Sequence, residues 1–130
     1  MVTGLAGNMT LYKLNLSSNS LTHRFLTQLS ERVLVKNECV LKELNLSNNY
    51  LDNKGQAGVK FAKSLEQNTH LVKVNLSKNR FNSHVGEEIL QSLKLNYRSK
   101  MSHINLDKNL IDLMIVDSIN QVLERYHLHE

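Results

Sequence analysis

Residues 41–52 read LKELNLSNNYLD, and the same chemistry recurs three more times along the chain. LYKLNLSSNSLT begins at Leu11, LVKVNLSKNRFN at Leu71 and MSHINLDKNLID at Met101, so the segments start 30 residues apart. Self-similarity at a fixed period of this size marks a stack of like supersecondary units. In each segment two apolar residues lie two apart: Leu14 and Leu16, Leu44 and Leu46, Val74 and Leu76, Ile104 and Leu106. A strand sends successive side chains to opposite faces, so these pairs point to a core while Asn15, Asn45, Asn75 and Asn105 point out. The twelfth position holds Thr22, Asp52, Asn82 or Asp112, side chains able to accept hydrogen bonds from the free amides of a helix's first turn. Apolar residues then recur at helical spacing: Phe25, Leu26, Leu29 and Val33; Val59, Ala62 and Leu65; Ile89, Leu90 and Leu93; Ile115, Val116, Ile119, Val122 and Leu123. Each unit thus predicts a strand followed by a helix, the last helix running over about 113–128.

The pattern L-x-x-L-x-L-x-x-N-x-L, carried by nearly the whole chain from Leu11 onward, resembles the leucine-rich repeat. The period is slightly longer than the usual 20–29 residues, and with a helical second half it resembles the ribonuclease-inhibitor subtype. The resemblance implies a right-handed α/β solenoid of four strand–helix units, with a parallel sheet on the concave face and helices on the convex one. It also implies that the second asparagine of each unit, Asn19, Asn49, Asn79 and Asn109, faces inward as a structural ladder that satisfies backbone groups of the turn. Such a role fits the cost of burying an amide without a partner. Gly55 falls where the family often places glycine, whereas the other units have Phe25, Val85 and Ile115 there.

Composition agrees with one repeat domain over residues 1–130. The chain has 41% hydrophobic and 22% charged residues, which excludes a disordered chain. It has no Trp and no Pro, where average usage would give roughly six or seven prolines. A single cysteine, Cys39, cannot form an internal disulfide. With no charged-then-apolar leader, the expected setting is reducing and cytoplasmic, with a cytoskeletal location as a further option. The longest apolar run, Leu113 to Val116, is far too short to cross a bilayer. Sixteen Lys and Arg against twelve Asp and Glu leave a net charge of +4, a balance that favours acidic partners over nucleic acid. No aromatic residues interleave with the basic ones to stack on bases.

Repeat proteins usually bind through the exposed strand positions. Here the third position of each unit gives Lys13, Glu43, Lys73 and His103, and the seventh gives Ser17, Ser47, Ser77 and Asp107. The eighth gives Ser18, Asn48, Lys78 and Lys108, and the tenth gives Ser20, Tyr50, Arg80 and Leu110. With the fifth-position asparagines included, this face holds five basic residues and two acidic ones, three of the chain's four excess positive charges. The candidate protein-binding residues are Lys13, Glu43, Tyr50, Lys73, Lys78, Arg80, His103 and Lys108, facing an acidic protein surface. Lysine as a solvated filler and Tyr50 as a packing residue are the plain alternatives. The Asn15, Asn45, Asn75 and Asn105 row is expected to pair amide to amide between strands about 4.8 Å apart. Four such strands span only about 15 Å, room for a helix, a loop or a filament edge.

Catalytic signatures are missing. There is no G-x-x-x-x-G-K and no G-x-S-x-G, so no catalytic or cofactor-binding residue is expected. Gly55 and Gly58 in KGQAGVK lie where a helix begins, not in a phosphate loop. Cys39 reads as a small loop residue. His127 and His129 lack a third ligand at suitable spacing, so no metal site is expected. The triplets at Asn8, Asn15, Asn45 and Asn75 match a glycosylation acceptor but read as accidents of the repeat. The N-terminal ten residues, MVTGLAGNMT, are too poor in apolar side chains to cap the stack, so a partner or further chain is expected to cover that edge. Together these point to a non-catalytic interaction module, a subunit or adaptor in a larger protein assembly. The alternatives are a microtubule- or actin-binding protein of cilium or cortex, and a regulator of a small GTPase or another enzyme.

Overall fold

Each L-x-L segment forms a three-residue strand: β1 Lys13–Asn15, β2 Glu43–Asn45, β3 Lys73–Asn75 and β4 His103–Asn105. The computed structural model describes residue 4 and residues 10–36, 40–51 and 56–128. Asn8, Cys39, Asp52, Gly55, His129 and most of the N-terminal ten residues lie outside the described residues. The strands pair in parallel in the order β1-β2-β3-β4, Leu14 opposite Leu44, Leu44 opposite Val74, and Val74 opposite Ile104. The segments therefore stack with no slip. Helices α1 (His23–Leu29), α2 (Ala57–Ser64), α3 (Ser83–Leu95) and α4 (Leu113–Leu128) form the second layer, each packed on the next. The result is an α/β solenoid with the sheet concave and the helices convex. Among the described residues no helix is long and apolar enough to cross a membrane.

The core lies between the two layers. Leu46, Leu51, Phe61, Leu76, Phe81 and Ile89 are wholly buried. Ala57, Phe61 and Val85 join it although the helical spacing in the sequence does not single them out. Helix α1 widens into a π-helical turn over Ser30–Leu34. Buried Ser30 donates its hydroxyl to the Leu26 carbonyl at 2.8 Å, a side-chain bond that competes with the regular helical ladder. The helix starts are capped unequally. Asn82 Oδ1 accepts from the Val85 amide at 3.1 Å and Asp112 Oδ1 from the Met114 amide at 2.9 Å. Thr22 instead caps through its carbonyl, which accepts from Phe25 and Leu26, with no bond from its hydroxyl to the helix.

The turns after the strands are tight. Six non-glycine residues take a left-handed backbone, with φ between 54° and 65°: Ser18, Ser20, Asn48, Lys78, Arg80 and Lys108. The eighth position does so in every unit. The tenth does so only in units 1 and 3, at Ser20 and Arg80. In units 2 and 4 it instead bridges back to the preceding unit, Tyr50 to Thr22 and Leu110 to Asn82. The Tyr50 amide donates to the Leu21 carbonyl, and the Leu110 amide to that of Phe81, both at 2.7 Å. Odd and even units thus alternate.

The inner asparagines bind these turns together, except at the first. Asn79 is fully buried; its Oδ1 accepts from the Asn49 amide, and its Nδ2 donates to the Leu46, Leu76 and Ser77 carbonyls. Asn49 and Asn109 make the same kind of bonds across their own junctions. Asn19 departs from the expected ladder. It is exposed, and among the described residues its Nδ2 reaches only the Ser17 carbonyl, with no earlier unit against it. Leu11, Leu14, Leu16, Leu21 and Phe25 are half-buried for the same reason.

Candidate functional site

Strand register aligns the third-position side chains in one row, Lys13 beside Glu43, Glu43 beside Lys73, Lys73 beside His103. With Asn15, Asn45, Asn75 and Asn105 they line a shallow groove of about 430 Å³ across the sheet. Lys13 Nζ lies 3.0 Å from Glu43 Oε2. That hydrogen-bonded ammonium holds the Glu43 carboxyl below its usual value of 4.5; partial desolvation opposes the shift, and the charges of Lys13 and Lys73 reinforce it. At the far end of the row His103 Nδ1 lies 2.9 Å from the Ser102 hydroxyl.

The asparagine row does not pair amide to amide. Each Oδ1 turns back on its own chain and accepts the amide two residues on: Asn15 from Ser17, Asn45 from Ser47, Asn75 from Ser77 and Asn105 from Asp107, at 2.9–3.0 Å. This local turn engages the carbonyl oxygen that a neighbouring amide would need. The four side-chain amino groups have no protein acceptor among the described residues, so a line of N–H donors faces the groove at the strand spacing of about 4.8 Å.

The remaining candidates sit elsewhere. Lys78, Lys108 and Arg80 lie on the left-handed turns beyond the strands, and none of them lines the groove. Tyr50 is 54% exposed, on the same rim. The register therefore brings together Lys13, Glu43, Lys73 and His103, and leaves Tyr50, Lys78, Arg80 and Lys108 on a second strip. Leu110, placed on the outward face by the sequence, is 69% exposed, and sequence reasoning missed Leu113 and Met114, which are 71% and 77% exposed on the same last unit. A signal was present, because earlier units put Arg80, Ser83 and His84 at those positions. It also missed Asn68 and Asn96, buried where helices return to strands. Asn68 Nδ2 donates to the Leu34 carbonyl, and Asn96 Nδ2 to those of Leu65 and Asn68.

Gly58 belongs to the first turn of α2, where a Cβ would come within 2.7 Å of Val85 Cγ2. Its place is fixed by helix packing. Among the described residues no three His, Cys, Asp or Glu side chains gather as a metal-ligand set.

The family model for the leucine-rich repeat matches residues 40–60. No curated protein matches the chain in sequence. Among solved structures, the Leiomodin-1 Actin-Binding Site 2 superposes with a TM-score of 0.81 at 15% identity, covering 98% of this chain and 70% of that one. The tropomodulin C-terminal domain of Caenorhabditis elegans gives 0.57 at 10% identity, covering 98% and 94%. Identities this low establish the fold, which is that of a leucine-rich repeat protein.

Proposed function

We propose that this leucine-rich repeat chain is a non-catalytic protein-binding module, a subunit or adaptor in a cytoplasmic assembly, whose partner docks on the concave sheet. The observation that supports this reading is the groove row itself: four carboxamide donors beside Lys13, Lys73 and His103, with one carboxylate. Donors and cations in that ratio suit a protein surface rich in carboxylates and free carbonyls. The rim cations Lys78, Arg80 and Lys108 extend the field and speed encounter rather than fix the partner. Affinity purification of the tagged chain from its native source, paired with the variant Lys73→Glu/Asn75→Ala, tests it. The expected result is one stoichiometric partner held by the wild type and lost by the variant. Equal recovery by both would move the site off the sheet.

A second reading is actin, favoured by the superposition on a structure titled as an actin-binding site. On this reading the chain co-sediments with filamentous actin at low salt and is released as salt screens the groove and rim charges. Its absence from the actin pellet at every salt concentration would remove this reading while leaving the first intact.

A further inference from the structure

The outer edge of β1 and the outer edge of β4 are unfinished in complementary ways. At the junction of units 2 and 3, the Leu46 and Asn48 amides donate to the Asn75 and Ser77 carbonyls, and the Val72 and Lys73 amides to that of Lys42. Asn79 completes the junction, taking the Asn49 amide and donating to the Leu46 carbonyl. Moved by one two-unit step, the donors become Leu106 and Lys108, just after β4, and Tyr12 and Lys13, at the start of β1. The acceptors become Ser102, Asn15 and Ser17, and Asn19 takes the place of Asn79. Among the described residues no unit occupies either edge, and Asn19 Oδ1 accepts no hydrogen bond.

We propose that a second copy of this chain stacks head to tail, its β1 continuing the sheet after β4 of the first. The alternation of unit types selects this occupant. Unit 1 holds Ser20 at φ 54°, as unit 3 holds Arg80 at 65° when stacked on unit 2. Unit 1 is thus already in the form that follows an even unit, and unit 4 is of the even type. The surfaces agree as well. A groove of about 600 Å³ lies open between β4 and α4, lined in part by Leu106, Val116 and Leu123, where the half-buried Leu14 and Leu16 of the next copy would insert. Ser83 Oγ accepts the Asp112 amide of the next unit at 2.9 Å. Leu113 is its counterpart in unit 4 and would touch the next copy, which accounts for an apolar residue 71% exposed there. The contact is heterologous, so it grows into longer rods instead of closing as a dimer.

Sedimentation velocity over a concentration series reads this. The expected result is a ladder of species that lengthens with concentration. Leu113→Glu/Met114→Glu changes only exposed side chains and blocks the β4 end. Lys13→Pro removes an outward amide of an edge strand, where proline is tolerated, and blocks the β1 end. Each variant alone stays monomeric with wild-type circular dichroism, and the two mixed form a dimer that stops at two. Asn19→Ala leaves the monomer's melting temperature unchanged and weakens growth about ten-fold, the loss of one buried amide's bonds. A wild type that remains monomeric at its solubility limit overturns the proposal. So does a closed dimer, or growth indifferent to the Leu113 and Met114 substitutions.

Discussion

Asn79 ties backbone groups of two units with one carboxamide. Replacing it with alanine strands the buried Asn49 amide, while the Leu46 carbonyl keeps only its bond from Asn49 Nδ2. At about 1–3 kcal/mol for a stranded group, Asn79→Ala should cost about 2 kcal/mol in urea unfolding. Glu43 gives a pH-dependent effect of known sign. Pairing with Lys13 lowers its folded-state pKa below 4.5, so its stabilising contribution is complete above that value and fades as pH falls through the lowered one. Lys13→Ala should move the carboxyl titration back up toward 4.5, followed by NMR.

At the scale of the element, contact between helices decides. Alanine at Gly58 would raise helix propensity by about 1 kcal/mol. Its methyl would meet Val85 at 2.7 Å and Phe81 at 3.1 Å, both buried, and overpacking of this kind costs about 1–3 kcal/mol. Gly58→Ala should therefore lower the thermal midpoint, against the propensity trend. The strands and their inward leucines could be read from the sequence because a period-two pattern repeats without drift every 30 residues. The helices were less legible. Gly58 in α2 faces Phe81 and Val85, and Gly86 in α3 faces their repeat counterparts Ile111 and Ile115, yet the two glycines do not stand a full repeat apart, so equivalent residues slip between units. That slip hid Asn68 and Asn96, which stand 28 apart. The asparagine row was misread because a strand pattern gives the side a residue faces but not whether its carbonyl turns to a neighbour or to its own backbone.

For the whole molecule, stability runs from one neighbour to the next, and among the described residues β1 and β4 each pair on one side only. In the monomeric Leu113→Glu/Met114→Glu variant, hydrogen exchange should be fastest at β1, where Leu11, Leu14 and Leu16 are half-buried, and slowest around Leu46, Leu76 and Phe81. NMR exchange rates at pairs of equivalent amides check this, since protection follows local opening. Equal protection in β1 and β3 would mean that the stack opens as a single unit.

The alternation of left-handed and bridged tenth residues also dictates how such a chain can be lengthened. Duplicating one unit would set two turns of the same kind side by side, and one of them would lack the neighbour it is shaped for. Duplicating an adjacent odd–even pair keeps every seam matched. The smallest insertion that leaves every turn beside its proper neighbour is a two-unit cassette.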